Sequence, residues 1–116
     1  MKVSFFTSAS GRNYVEDFLD DLSSADRATI VAVLEDIEKY GLSAVGCQFR
    51  QIEGKLWEIK IKAPTGEYRI FYVMVSSDEM MCLHAYRNKV KKLYRRSWIL
   101  PEKGLKEFYH EKESTQ

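Results

Sequence analysis

Leu56-Trp57-Glu58-Ile59-Lys60-Ile61-Lys62-Ala63-Pro64-Thr65-Gly66-Glu67-Tyr68-Arg69-Ile70-Phe71-Tyr72-Val73-Met74-Val75 is the stretch that settles the architecture. Trp57, Ile59 and Ile61 alternate with Glu58, Lys60 and Lys62, so one side of this segment is apolar and the other charged, which is the pattern of a half-buried strand. Pro64-Thr65-Gly66 reads as a turn. Tyr68 to Val75 is an apolar run broken by one charge, Arg69, and such a run belongs in the middle of a sheet. An arginine there must either pair with a carboxylate such as Glu58 or face a ligand, and the sequence leaves both open.

Working outward, Ser76-Ser77-Asp78-Glu79 turns the chain again and Met80 to Tyr86 makes a further strand, the three forming an antiparallel meander. On the N-terminal side, Val3 to Phe6 reads as a short edge strand that Gly11 and Asn13 break. Val15, Phe18, Leu19 and Leu22 fall at helical spacing, with Glu16, Asp17, Asp20 and Asp21 on the other side. Ser23-Ser24 caps a second stripe, Ala28, Ile30, Val31, Leu34 and Ile37, which stops at Tyr40-Gly41. A loop through Gly46 leads into the strand region. The expected fold is α+β: two N-terminal helices as a hairpin against one face of a small twisted antiparallel sheet, the other face partly open, and a C-terminal helical segment.

At 116 residues the chain is read as one domain, with a core over about 1–94 and a tail over 95–116. Apolar residues at 45% and charged residues at 30% are the balance of a soluble globular protein. The first six residues lack the hydrophobic centre of a signal peptide, and no segment has the length to span a bilayer, so the expectation is cytoplasmic with no membrane partner. Cys47 and Cys82 have no metal-ligand spacing and read as free thiols. The two histidines add no metal motif, and neither a metal nor any other cofactor is expected. His84, between Leu83 and Ala85, is read first as a hydrogen-bonded structural histidine.

Net charge is only +1, but it is polarised. Residues 1–47 hold four Lys/Arg against eight Asp/Glu, and residues 48–116 hold fourteen against nine. Arg87, Lys89, Lys91, Lys92, Arg95 and Arg96 stand close together with no acid among them, and Tyr86 and Tyr94 are interleaved. Cations at this density suit a phosphate backbone and tyrosines can stack on bases, so Lys89, Lys91, Lys92, Arg95 and Tyr86 are RNA-binding candidates. Lys60, Lys62, Arg69 and Arg87 lie on neighbouring strands or at their ends and together suggest a cationic groove. The plain alternative for Lys60 and Lys62 is that strand lysines solvate the outer side of a sheet.

Three segments taken together, Ile52-Glu53-Gly54-Lys55-Leu56-Trp57-Glu58-Ile59-Lys60, Tyr68-Arg69-Ile70-Phe71-Tyr72 and Cys82-Leu83-His84-Ala85-Tyr86, resemble the phage-derived branch of the RelE/HigB toxin superfamily. The resemblance covers roughly residues 13–94, and its most specific part is the close pairing of the first two motifs. It implies the same RelE/ParE-like architecture of two helices on an antiparallel sheet. It further implies cleavage of messenger RNA on the ribosome without a metal, and silencing by a cognate antitoxin, often a helix-turn-helix protein. Carried over by position, Arg69 matches the phosphate-binding strand arginine, and Lys60 and Lys62 match basic residues of the preceding strand. Tyr86-Arg87-Asn88-Lys89 matches a basic cluster after the last strand, and Leu93-Tyr94 an aliphatic-tyrosine pair. Lys60 stands where arginine is common, the tail is longer, and the net charge is lower than in such relatives.

A nuclease of this kind uses the ribose 2′-hydroxyl to attack the adjacent phosphate, giving a 2′,3′-cyclic phosphate and a free 5′-hydroxyl. The expected catalytic set is Arg69 and Arg87 against the developing phosphate charge, with Lys60, Lys62 or Tyr94 moving protons. A free lysine or tyrosine titrates near roughly 10, so neighbouring cations have to lower a base of this type. Two readings from other classes stay open: a ParE-like inhibitor that poisons DNA gyrase by binding, and a basic nucleic-acid-binding module without chemistry.

Overall fold

A computed structural model describes residues 1–88. The chain runs β1 (Lys2–Phe5), α1 (Tyr14–Asp20), α2 (Ser24–Tyr40), a short 3-10 turn (Gly41–Ser43), β2 (Gln48–Glu53), β3 (Leu56–Ala63), β4 (Gly66–Ser76) and β5 (Glu79–Asn88). The five strands form one sheet in the order β1-β5-β4-β3-β2.

This corrects the expected fold in two respects. The sheet is mixed rather than antiparallel, because β1 runs parallel to β5, with Lys2 opposite Glu79 and Phe5 opposite Cys82. The helices also lie in the middle of the chain, after an N-terminal strand, rather than leading it. A parallel neighbour needs a long crossover, and here both helices and three strands intervene. Ser4 donates to Glu79, 75 positions away, a pairing that no local pattern encodes. The expected C-terminal helical segment lies outside the described residues.

The helix ends follow from local chemistry. Asn13 caps α1 by accepting from the Glu16 amide, and Ser23 caps α2 by accepting from Asp26. At the far end of α2 the chain leaves through Gly41 at φ +64°, a conformation that disfavours any residue with a Cβ. β2 escaped the sequence reading because only Phe49 and Ile52 in Gln48-Phe49-Arg50-Gln51-Ile52-Glu53 are apolar. A register shift between Gln51 and Glu53 also breaks the alternation.

Both helices pack on one face of the sheet. Val15 and Leu19 of α1 and Ile30, Val33, Leu34 and Ile37 of α2 are buried against Ile59, Ile61, Tyr68, Ile70, Tyr72, Met80, Cys82 and Ala85. Truncating Ile30 or Ile70, both fully buried, to alanine would cost about 2–5 kcal/mol. Cys82 belongs to this core and burial pushes its thiol up to about 12, which leaves it an inert apolar side chain. Leu56, Phe71 and Leu83 form a second buried cluster on the outer face, with Ile52, Val73, Met81 and Tyr86 against it. Among the described residues, helix side chains join only the first cluster. No helix there is long and apolar enough to cross a membrane.

Candidate functional site

Antiparallel register turns the alternation of β3, β4 and β5 into rows across the outer face. One row sets Lys60 opposite Arg69 and Arg69 opposite Tyr86, and the next sets Lys62 opposite Glu67 and Glu67 opposite Asn88. On the other side of the first row, Arg50 of β2 stands opposite Glu58. Because side chains alternate across a strand, Glu58, Lys60 and Lys62 share a face with Glu67 and Arg69. This face therefore has an apolar half around Phe71 and a charged half near the β3–β4 turn.

Arg69 is the centre of the charged half. Its Nη1 donates to Glu58 Oε1 at 2.9 Å and its Nη2 to Glu67 Oε2 at 3.4 Å. The Glu58 side chain is only 2% exposed and that of Arg69 14%, whereas Arg50, whose Nε lies 3.7 Å from the same Glu58 oxygen, is 66% exposed. A carboxylate buried this deeply needs its cation, and removing one partner of a buried pair costs about 3–5 kcal/mol. The Arg69 Nε is buried without an acceptor among the described residues, so the two carboxylates leave one donor of the guanidinium unused. An unsatisfied buried donor costs roughly 1–3 kcal/mol.

The titrations on this face have traceable causes. Burial works to lower the Arg69 pKa, but the charges of Glu58, Tyr86 and Glu67 outweigh it and hold the guanidinium above its usual value. Burial works to raise Glu67, yet the Asn88 hydrogen bond and the Lys60 and Arg69 charges keep it below the usual carboxylate range. Burial and the Glu58 charge push the Tyr86 phenol up against the opposing pull of Arg69 and Arg50. Tyr86 thus keeps its proton at neutral pH, and its ring lies 5.3 Å from that of Phe71.

Of the sequence candidates, Lys60, Lys62, Arg69 and Tyr86 come together here. Arg87 does not, for it sits one position from Tyr86 on β5 and points to the helix side, its guanidinium 5.7 Å from the Tyr68 ring. It crosses Gly66, where a Cβ would lie 2.7 Å from its Nε, and donates to the Thr65 carbonyl. Beneath it the buried carboxylate of Asp26 accepts from the Thr65 amide at 3.1 Å, from the Thr65 hydroxyl, and from the Tyr68 hydroxyl at 2.5 Å. The side-chain bonds from Thr65 and Tyr68 hold Asp26 below the usual carboxylate range against its burial. The candidates Lys89, Lys91, Lys92, Tyr94 and Arg95 lie outside the described residues.

Sequence reasoning missed Glu67, Asn88 and Arg50 as members of the charged half. Their signal is the register: once Lys60 is set opposite Arg69 and Arg69 opposite Tyr86, Glu67 and Asn88 must fall in the adjoining row. His84 lies on the helix side and stacks on Tyr14 at 5.4 Å, with its Nδ1 3.1 Å from the Ala85 carbonyl oxygen. Among the described residues no three His, Cys, Asp or Glu side chains gather in a way that would hold a metal ion.

Residues 17–106 match the family model described as phage-derived protein Gp49-like (DUF891). The chain matches no curated protein. The family is associated with toxins of toxin–antitoxin systems, and membership implies an antitoxin partner. With the match spanning α2, all the sheet strands but β1, and every residue of the charged half, the chain belongs to the Gp49-like family of phage-derived proteins.

Proposed function

We propose that this chain is the toxin of a toxin–antitoxin pair, of the RelE/HigB kind, and that it cuts messenger RNA on the ribosome without a metal. What supports this reading is a single arrangement: Lys60, Lys62 and Arg69 share the outer face of the sheet with Tyr86, and buried Glu58 fixes the guanidinium in place. RNA would lie across the charged half, its phosphate neutralised by these cations and a base resting on the aromatic ring of Tyr86.

In the reaction the 2′-hydroxyl oxygen bonds to the adjacent phosphorus, the bond to the 5′ oxygen breaks, and a 2′,3′-cyclic phosphate and a 5′-hydroxyl result. One proton leaves the 2′ oxygen and one reaches the 5′ oxygen. Arg69 stabilises the charge that builds on the phosphate oxygens, and a preorganised cation of this kind is worth on the order of 10²-fold or more in rate. Lys60 and Lys62 are the groups within this row pattern that move the protons. Arg87, on the other face, has no part in it.

The test is inducible expression in bacteria with 5′ ends of transcripts mapped genome-wide. Growth arrest with new in-frame cuts carrying 5′-hydroxyls, absent with Arg69→Ala, is the expected result. Arrest with uncut messages and inhibited gyrase would replace this reading with the ParE-like one. No arrest at all would leave a binding module.

A further inference from the structure

Three side chains from three strands converge on one carboxylate oxygen pair. Lys60 Nζ of β3 lies 3.5 Å from Glu67 Oε1, Arg69 Nη2 of β4 lies 3.4 Å from Oε2, and Asn88 Nδ2 of β5 donates to Oε2 at 2.6 Å. Two cations and an amide aimed at one anion are the donor set that takes a phosphate oxygen. Among the described residues no acceptor meets the Arg69 Nε, so the resident carboxylates do not exhaust the guanidinium.

We propose that Glu67 is a resident stand-in for an RNA phosphodiester: its carboxylate fills the anion site made by Lys60, Arg69 and Asn88 in the free protein, and the phosphate must displace it. This rests on the RNA-cutting reading above and adds two assignments to it. Asn88 becomes a phosphate-binding residue, and Glu67 an internal competitor that weakens RNA binding.

The two carboxylates on Arg69 therefore act with opposite signs. Glu58 is almost wholly buried and holds Nη1 at 2.9 Å, so it cannot leave without exposing the core. Glu67 is more exposed at 22%, and the register sets it opposite the exposed Lys62, which offers the displaced carboxylate a second cation. Glu67 is charged at neutral pH, since its neighbours hold its pKa below the usual range, and a competitor for an anion site has to be.

The experiment measures binding of a short single-stranded RNA, protected from cutting by 2′-O-methylation, to the full chain by fluorescence anisotropy at low salt. Glu67→Gln keeps the shape and removes the charge, and it should bind about tenfold more tightly than the native chain. Glu67→Ser serves as a second variant, with a thermal melt confirming that each is folded. Adding Asn88→Ala to Glu67→Gln should return most of the gain. Equal or weaker binding by both folded Glu67 variants, while native binds and Arg69→Ala does not, would overturn the proposal and leave the RNA-cutting reading standing. No binding by native or by either folded variant would overturn both.

Discussion

The two faces of the sheet each hold an arginine beside a tyrosine, one residue apart in register, yet the pairs serve different ends. On the helix side Arg87 lies over Tyr68 and closes a network with Asp26 and Thr65 that fastens the β3–β4 turn to the start of α2. On the outer side Arg69 stands opposite Tyr86, held by Glu58 and Glu67, and one of its donors has no partner among the described residues. The first arrangement is satisfied within the fold, and the second is not. A site is marked here by unspent bonding capacity on a face that, among the described residues, carries no helix, rather than by the number of positive charges.

The largest effect that sharpens this contrast is on stability. Glu58→Ala strips a half-buried guanidinium of its closest acceptor and should cost about 3 kcal/mol in urea unfolding. Arg50→Ala, which removes only the exposed contact to the same carboxylate, should cost less than about 1 kcal/mol. Similar losses from both would mean that Glu58 does not discriminate between its two arginines.

On the helix side, Asp26→Asn weakens three hydrogen bonds at once and should lower the melting temperature by about 5 °C or more at neutral pH. The sign of the pH dependence follows from the lowered pKa. The charged Asp26 contributes its full stabilisation above the ordinary carboxylate range, near roughly 4, and loses it as pH falls through the lower folded value. The gap between native and Asp26→Asn melting temperatures should therefore shrink in acid. A gap that is constant down to strongly acidic pH would show that the charge of Asp26 is not what stabilises the turn.

The smallest expected effect is at Gly66. A Cβ there meets the Arg87 guanidinium at 2.7 Å, the far end of a flexible side chain, so Gly66→Ala should move Arg87 and cost under about 1 kcal/mol. RNA cleavage should be unchanged. A large loss of cleavage in this variant would tie the helix-side network to the reaction.

Both faces were partly legible in the sequence. The alternation of Trp57 to Lys62 places Lys60 and Lys62 on one side, and a lone Arg69 in an apolar strand announces a pairing or a ligand. The structure adds that Glu58 is its closest partner. What the sequence hides is long-range register. Arg87 and Tyr86 are neighbours in the chain, and only a fixed strand register, including the shift between Phe71 and Tyr72, says which of them shares a face with Arg69. The burial of Asp26 is hidden for the same reason: Ser23 three residues earlier marks a helix start, but Thr65, its partner, is 39 positions away. The parallel seat of β1 beside β5 also depends on distant chain, which is why an all-antiparallel sheet was the natural expectation.

The most direct test of the account sets the two arginines against each other: native, Arg69→Ala and Arg87→Ala chains, each confirmed as folded, are induced in bacteria and transcript 5′ ends are mapped. New cuts are expected with the native chain and with Arg87→Ala, and a loss of about 10²-fold or more with Arg69→Ala. Cuts that persist in Arg69→Ala and vanish in Arg87→Ala would place the chemistry on the other face and contradict it.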